Sequence, residues 1–232
     1  MFEGMKKKLV DKLLGISNIS NAKEARNIER QLQKNALLET TRFVEENMLK
    51  TRSFENKFSL LKYALDLIEK RGLILEFGVF EGTTINFISS NTKQTVYGFD
   101  SFEGLPEDWR EGFEKGTFKI GIPEVNKNVK LIKGWFDDTL PQFIKECPEN
   151  CYFIHIDCDL YSSTKTIFDN LHDKIKEGTI IVFDEFFNYP GWKEGEYKAF
   201  IEFVNSHNIK YEYIGYCRYD EQVALKILEV NK

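Results

Sequence analysis

The pattern of hydrophobic and polar positions changes near Gly72 and divides the chain into two parts. Before this point, stretches with few helix breakers carry apolar residues at helical spacing, which predicts helices over Asn21–Lys50 and Glu55–Lys70. Beyond it, short continuous apolar runs alternate with segments of helical pattern. Such runs are typical of buried parallel strands joined by helical crossovers. The predicted strands are Leu73–Phe77, Thr95–Phe99, Val129–Ile132, Tyr152–Ile156 and Thr179–Phe183, and the predicted helices are Thr83–Ser90, Thr139–Glu146, Tyr161–Lys176 and Glu196–Ser206.

Two final apolar runs, Lys210–Ile214 and Val223–Leu228, are separated by a short connection, as in an antiparallel pair. Together these elements predict an α/β fold with a doubly wound, mostly parallel sheet. We expect residues 1–70 to form an N-terminal helical cap and residues 71–232 to form one compact domain. For the cap we consider a solvated cover, a substrate lid and a contact surface of a homo-oligomer.

Composition and charge narrow the class of protein. The 232 residues include 32 Lys and Arg against 37 Asp and Glu, a net charge of −5. A protein that binds the phosphate backbone of nucleic acids would show a basic balance, so we expect no nucleic-acid partner. No run approaches the ~18 apolar residues of a membrane span, and Asp11 interrupts any secretory signal after Lys6–Lys8. The four cysteines form no C-x-x-C pair, which predicts free thiols and a cytoplasmic protein.

A glycine-containing turn follows the first predicted strand. Gly78 and Gly82 allow a tight turn and the close approach of a ligand to the backbone. Thr83 or Thr84 can cap the next helix, whose N-terminus favours an anionic group. Asp100 ends the second strand, 22 residues beyond Gly78, where a carboxylate can accept both hydroxyls of a ribose. The alternatives are an ordinary βα turn at the glycines and a helix cap at Asp100.

Acidic pairs follow two further strands: Asp157 and Asp159 after the fourth, and Asp184 and Glu185 after the fifth. Because parallel strands end at the same edge of a sheet, four carboxylates would meet there and raise one another's pKa. A hard divalent cation, most simply Mg²⁺, would relieve this repulsion, with Asp157, Asp184 and Glu185 as ligands. Asp159 would then be free to act as general base on a substrate hydroxyl. Unrelated capping and solvated acids are the alternative.

The segment Ser101–Asn128 is the longest part of this region without clear periodicity. A loop of this length in a compact domain is usually functional. We expect residues 101–125 to close over the site and exclude water.

Five stretches carry a resemblance to a known family. They are LEFGVFEGTT (75–84), YGFDSFEGLPEDW (97–109), GWFDDTLP (134–141), HIDCDLYSST (155–164) and FDEFFNYPGWKEGEYKAF (183–200). In this order they resemble class I S-adenosylmethionine-dependent methyltransferases, and more closely the macrocin/mycinamicin (TylF-like) sugar O-methyltransferases. The resemblance covers about Leu73 to Phe203.

The resemblance implies a Rossmann-like methyltransferase fold with seven strands, the last antiparallel, and S-adenosylmethionine as the cofactor. The residues implied at its methionine end are Glu76, Gly78, Phe80, Gly82, Thr83 and Thr84, with Asp157 nearby. Those implied at the ribose and adenine are Asp100, Ser101, Phe102, Gly134, Trp135 and Phe136. The family's metal ligands match Asp157, Asp184 and Glu185, and its proposed base matches Asp159. One departure is that the family usually shows Asp-Asp-Tyr where this chain has Asp184-Glu185-Phe186, and Glu185 reaches one methylene further.

The function expected from these residues is Mg²⁺-dependent O-methyl transfer to a sugar hydroxyl, on a nucleotide-linked sugar, a surface glycan or a glycosylated metabolite. Methyl transfer to a catechol-like phenol or an amine keeps the same fold and is an alternative. A non-catalytic nucleoside-binding module is another, although it would need only the glycine turn and Asp100. The absence of G-x-G-x-x-G counts against an NAD-dependent oxidoreductase.

Overall fold

An eight-stranded sheet organises the structure, a computed structural model that describes residues 26–231. The strands are β1 (Arg52–Phe54), β2 (Leu73–Phe77), β3 (Val96–Asp100), β4 (Val129–Lys133), β5 (Cys151–Ile156), β6 (Ile175–Phe183), β7 (Ile209–Cys217) and β8 (Val223–Val230). The helices are α1 (Ile28–Asn47), α2 (Lys57–Asp66), α3 (Thr83–Ser90), α4 (Phe136–Glu146), α5 (Tyr161–Leu171) and α6 (Glu196–Ser206), and a 3₁₀ turn spans Trp192–Glu194.

The strand order is β1-β7-β8-β6-β5-β2-β3-β4. Strands β2, β3, β4, β5 and β6 pair with one another in parallel. Strand β8 is antiparallel to both β6 and β7. The expected doubly wound, mostly parallel sheet is therefore confirmed. The chain moves from β2 towards β4 on one side and from β5 towards β6 on the other, which opens a crevice at the carboxyl ends of β2 and β5.

The structure differs from the sequence predictions in the number of strands and in the bounds of several elements. The sheet of the described residues has eight strands where seven were expected, because β1 adds to β7 in parallel. At three residues, β1 is too short to show a periodic pattern. The helix predicted to reach Lys176 ends at Leu171, since Ile175 already begins β6. Helix α4 begins at Phe136, before the predicted Thr139.

Two apolar layers cover the faces of the sheet. On one face, the core includes buried side chains of α4, α5 and α6, with Phe168 and Phe203 stacked at 4.5 Å between ring centroids. On the other face, α2 and α3 pack through residues such as Leu60, Leu61 and Ile85. Burial of both faces explains why the central strands appear in the sequence as continuous apolar runs.

The predicted N-terminal cap is described from residue 26 onward, and residues 1–25, with Lys6–Lys8, lie outside the described residues. Helix α1 packs through Phe43, whose ring lies 5.5 Å from that of Trp192. Gln33 and Thr40 of α1 both bond to the backbone of Asn188, in the segment after β6. The boundary at residue 70 and a homo-oligomer through the cap stay predictions. Across residues 26–231, no helix combines the length and apolar character needed to cross a bilayer.

Candidate active site

A cavity of about 570 Å³ opens at the carboxyl ends of the parallel strands. The predicted site residues that line it are Gly78, Phe80, Thr83, Thr84, Asp100, Ser101, Trp135, Phe136, Asp157, Asp159 and Glu185. The predicted site residues outside this lining are Glu76, Gly82, Phe102, Gly134 and Asp184. The fold thus brings the glycine turn, the end of β3, the start of α4 and three of the four acids to one space.

The glycine turn lies directly against the end of β5. Gly78 has a φ of +89°, and a Cβ atom there would lie 1.6 Å from the carbonyl oxygen of Asp157. Only glycine permits both this conformation and this approach. Phe80, two residues on, also has a positive φ, of 48°, and its half-exposed ring faces Phe118 of the 101–128 loop.

The Asp100 carboxylate joins the ends of β2 and β3. Its Oδ2 accepts from the backbone amides of Val79 and Phe80 at 2.8 and 2.9 Å, and its Oδ1 accepts from that of Phe102 at 2.7 Å. Asp100 therefore orders the turn above the cavity rather than the start of a helix. It also lines the cavity, so its predicted contact with a ribose stays a prediction.

Glu76 lies beneath the cavity and is fully buried. Its Oε1 accepts from the hydroxyl of Thr84 at 2.6 Å, and its Oε2 lies 3.7 Å from Nδ1 of His155. On the far side of the ring, Nε2 of His155 lies 3.8 Å from Oδ1 of Asp184. Burial alone would lower the pKa of His155, but the carboxylates of Asp184 and Glu76 raise it to about 10. The imidazole is therefore protonated at neutral pH.

The candidate metal ligands are arranged differently from the sequence prediction. Ligand atoms of His155, Asp157 and Asp184 lie within 4.8 Å of one another, and Glu185 is outside this group. Glu185 lines the cavity instead, and its buried Oε2 has no hydrogen-bond partner among the described residues. A carboxylate oxygen without a partner in a buried position is a site where a cation would be stabilising.

The pKa values of the three proposed metal ligands are shifted in different directions. Burial, together with the charge of Asp184, raises the pKa of Asp157 and of Glu185 well above the usual range. For Asp184 itself, burial is outweighed by His155 and Lys57, and its pKa falls to about 2. Asp184 is therefore the most firmly ionised of the three.

Lys57 is a member of this site that the sequence analysis missed. It is the first residue of α2, after the cap residue Asn56, and its Nζ lies 3.1 and 3.3 Å from the two carboxylate oxygens of Asp184. It also lines the cavity. No local signal marks it, because 127 residues separate the partners and the lysine lies in a segment that otherwise resembles a solvated helix.

Asp159 lies in the loop that follows β5, two residues after Asp157. Its φ of +65° is unusual for a residue other than glycine and turns the backbone sharply after β5. Burial raises the pKa of its carboxyl to about 7, while the charge of Arg110 acts in the opposite direction. The Arg110 guanidinium lies 3.8 Å over the ring of Trp109 and 3.4 Å from Glu221. Trp109 and Arg110 come from the 101–128 loop, so this loop forms a wall of the cavity beside Asp159.

Part of the chain is similar in sequence to a known protein family. The sequence profile of a family described as "Methyltransferase domain" matches residues 75–186. Over this segment, 112 of the 232 residues, the chain is similar to that family. The matched segment runs from β2 to just beyond β6 and includes the glycine turn, Asp100 and both acidic pairs.

Two curated relatives are similar to part of the chain. Demethyldecarbamoylnovobiocin O-methyltransferase from Streptomyces niveus is 28% identical over 129 residues, which is 46% of this chain and 48% of that protein. 8-demethyl-8-(2,3-dimethoxy-alpha-L-rhamnosyl)-tetracenomycin-C 4'-O-methyltransferase from Streptomyces olivaceus is 26% identical over 156 residues, 54% of this chain and 58% of that protein. The matches span about half the length of these relatives.

The fold of the chain is shared with a solved structure. The crystal structure of CalS11, calicheamicin methyltransferase, superposes with a TM-score of 0.59 over 73% of this chain and 77% of that one, at 19% identity. The chain therefore has a Rossmann-like fold that is shared with this methyltransferase.

A second residue that the sequence analysis missed accepts hydrogen bonds from the backbone of the two loops that carry the acids. Glu196, the first residue of α6, is fully buried and lies beyond the matched methyltransferase domain. Its Oε1 lies 3.4 Å from the backbone nitrogen of Cys158, and its Oε2 lies 3.3 Å from that of Glu185. The side chain therefore bridges the loops that follow β5 and β6. In the sequence, Glu196 resembles an ordinary acid in the first turn of a helix.

Proposed function

We propose that this chain is an S-adenosylmethionine-dependent O-methyltransferase that acts on a sugar hydroxyl of a small molecule, with Mg²⁺ as a further cofactor. The observation that carries the proposal is that one cavity is lined by the Gly78 turn, by Asp100 and by the acids Asp157, Asp159 and Glu185. Methyl transfer to a hydroxyl needs a site for the methyl donor and a proton acceptor at the same opening, and these residues suit the two roles. The names of both curated relatives, each an O-methyltransferase, support the same reaction.

The cofactor half of the cavity is proposed at β2, β3 and the start of α4. Close backbone at Gly78 and the exposed start of α3 suit the carboxylate of a methionine group. Asp100 suits the ribose hydroxyls. Trp135 and Phe136 line the cavity where an adenine ring would stack.

The acceptor half is proposed at Asp159, Trp109 and Arg110. Asp159 would take the proton of the acceptor hydroxyl, since a carboxylate whose pKa lies near 7 is matched to proton transfer at neutral pH. Trp109 and the other loop residues of the wall would orient the acceptor and exclude water. S-adenosylmethionine supplies an activated methyl group when bound, and Mg²⁺ supplies a Lewis acid for the acceptor oxygen.

The residues present fit a divalent cation by donor type. Asp157, Asp184 and Glu185 offer carboxylate oxygens, and the partnerless Oε2 of Glu185 supports a ligand in its vicinity. We propose that Asp157 and Asp184 hold Mg²⁺, with Glu185 as the third protein ligand. His155 is left out of the set because its two ring nitrogens face the carboxylates of Glu76 and Asp184 at 3.7 and 3.8 Å, and because Mg²⁺ prefers oxygen ligands to imidazole.

The cofactor is tested by isothermal titration of S-adenosylmethionine and S-adenosylhomocysteine into the native protein and into Asp100→Asn. The matched control is Asp138→Asn, which removes an exposed carboxylate of α4 outside the cavity. We expect micromolar binding that is at least about tenfold weaker in Asp100→Asn and unchanged in the control. A folded native protein that binds neither compound would overturn the methyltransferase proposal.

The acceptor is tested by transfer of a labelled methyl group to a neutral rhamnoside, a nucleoside diphosphate rhamnose, a catechol and an aliphatic amine, each with Mg²⁺ or with EDTA. Transfer to either sugar that EDTA abolishes supports the proposal. Transfer only to the catechol or the amine would show that the acceptor class is wrong. Cofactor binding without transfer to any acceptor would favour the nucleoside-binding module.

A further inference from the structure

The cluster of acids contains a cation that belongs to the chain itself. The Lys57 ammonium lies 3.1 and 3.3 Å from the two oxygens of Asp184, which is one of the proposed ligands of Mg²⁺. Asp184 is buried, and about a third of the lysine side chain is exposed, at the wall of the cavity. The lysine can therefore withdraw towards the cavity, whereas the carboxylate cannot leave the end of β6.

From this geometry we propose that Lys57 is a positioning residue that competes with a divalent cation for Asp184, so that the metal binds only by displacing the ammonium. The inference rests on the proposed function in one respect, the location of the metal. The inference goes beyond the proposed function because Lys57 lies outside the segment matched by the family profile and comes from the N-terminal part of the chain.

Charge explains why such a residue is needed. His155 lies between Glu76 and Asp184, but it is fully buried and cannot reach solvent. Lys57 supplies a further positive charge at the edge of the cluster, where desolvated carboxylates would otherwise repel one another. In the absence of metal, the contact with the lysine therefore holds the Asp184 carboxylate in place.

The same charge makes the site a weak one for metals. A divalent cation that enters must break the contact between Lys57 and Asp184 and then remain near a repelling ammonium. Removing the ammonium removes both costs. We therefore expect Lys57→Met to bind a divalent cation at least about tenfold more tightly than the native protein.

The experiment measures binding of Mn²⁺, which prefers the same oxygen ligands as Mg²⁺, by the electron paramagnetic resonance signal of the free ion. No nucleotide or acceptor is present. The variants are Lys57→Met, Lys57→Gln and Lys57→Arg, with Lys62→Met as the matched control. Lys62 lies on the same helix, but its ammonium pairs with Asp66 at the surface. Thermal unfolding with and without Mn²⁺ gives an independent readout and shows that each variant is folded.

The expected result is tighter Mn²⁺ binding in Lys57→Met and Lys57→Gln, and native affinity in Lys57→Arg and in the control. Thermal unfolding should show the two neutral variants less stable than native without metal and more strongly stabilised by it. Equal or weaker binding in both neutral variants would overturn the proposal. Absence of Mn²⁺ binding in every variant would overturn it too, because no metal would then be present to compete. A failure of the methyltransferase proposal is seen separately, in the titration of S-adenosylhomocysteine.

Discussion

Replacing Gly78 by alanine tests whether the glycine turn and the acid-bearing loop form one unit. The new Cβ would lie 1.6 Å from the carbonyl oxygen of Asp157, whereas real Cβ atoms stay at least 3.0 Å away. The turn and the end of β5 must therefore separate by more than an ångström, on the order of the displacement that costs 10²-fold in catalysis. Asp157 is both a proposed metal ligand and part of the cavity wall, so its movement affects both halves of the site.

The magnitude has two parts that a control can separate. An alanine at a left-handed φ costs about 1–2 kcal/mol, and overpacking against backbone adds about 1–3 kcal/mol. Gly112 has nearly the same conformation, φ +84° against +89°, but nothing lies within 4 Å of the position of its Cβ. Gly112→Ala therefore carries the first cost alone. We expect Gly78→Ala to lose about 2–5 kcal/mol of unfolding free energy and Gly112→Ala about 1–2 kcal/mol.

The assay is urea denaturation followed by circular dichroism, with S-adenosylhomocysteine titrated into each folded variant. Unchanged slopes in urea would show that the native compactness is retained, so that the midpoints compare stability. We expect affinity for S-adenosylhomocysteine to fall at least about tenfold in Gly78→Ala and to stay at the native level in Gly112→Ala. Equal losses of stability in the two variants would refute the argument from the close approach to Asp157.

Three further predictions concern buried groups around the site. Glu196→Gln replaces one of two carboxyl oxygens that accept from backbone amides by an NH₂ donor and should lose about 1–3 kcal/mol of unfolding free energy, while the α6 control Glu202→Gln should lose less than about 1 kcal/mol; similar losses would contradict the bridging role. A thiol reagent should modify only Cys147 quickly in the native protein, because the other three cysteines are buried, and all four in urea; a second fast thiol would contradict this. Thr84→Val should cost about 1–3 kcal/mol by leaving an oxygen of buried Glu76 without its donor, with Thr84→Ser close to native; equal stability of the two variants would contradict it.

The sheet was largely predictable because its strands are buried on both faces. Strand β2 and helices α3 and α6 begin and end at the predicted residues, and the other central strands differ by a few residues at their ends. A continuous apolar run between glycines is a local signal that needs no knowledge of neighbours. The β1 strand gave no such signal, because its pairing with β7 depends on a partner more than 150 residues away.

The order of the acidic pairs along the chain determined that carboxylates would gather at one edge of the sheet. What each carboxylate does there was decided by the tertiary structure. Asp184 is ionised because Lys57 and His155 reach it, and Glu185 is left without a hydrogen-bond partner among the described residues. Asp100 accepts hydrogen bonds from backbone amides that follow two different strands. From its position in the sequence alone, this role could not be distinguished from that of a helix cap.

The residues at the ends of the strands can be identified from the sequence. The topology of a parallel sheet brings those ends together, whatever the conformation of the loops. The partners of these residues come from distant segments, Lys57 from the start of α2 and Glu196 from the start of α6. Each is an ordinary charged residue in the first turn of a helix when seen along the chain. Their burial and their contacts exist only once the two helices pack against the sheet, and it is burial that turns a surface charge into a determinant of the site.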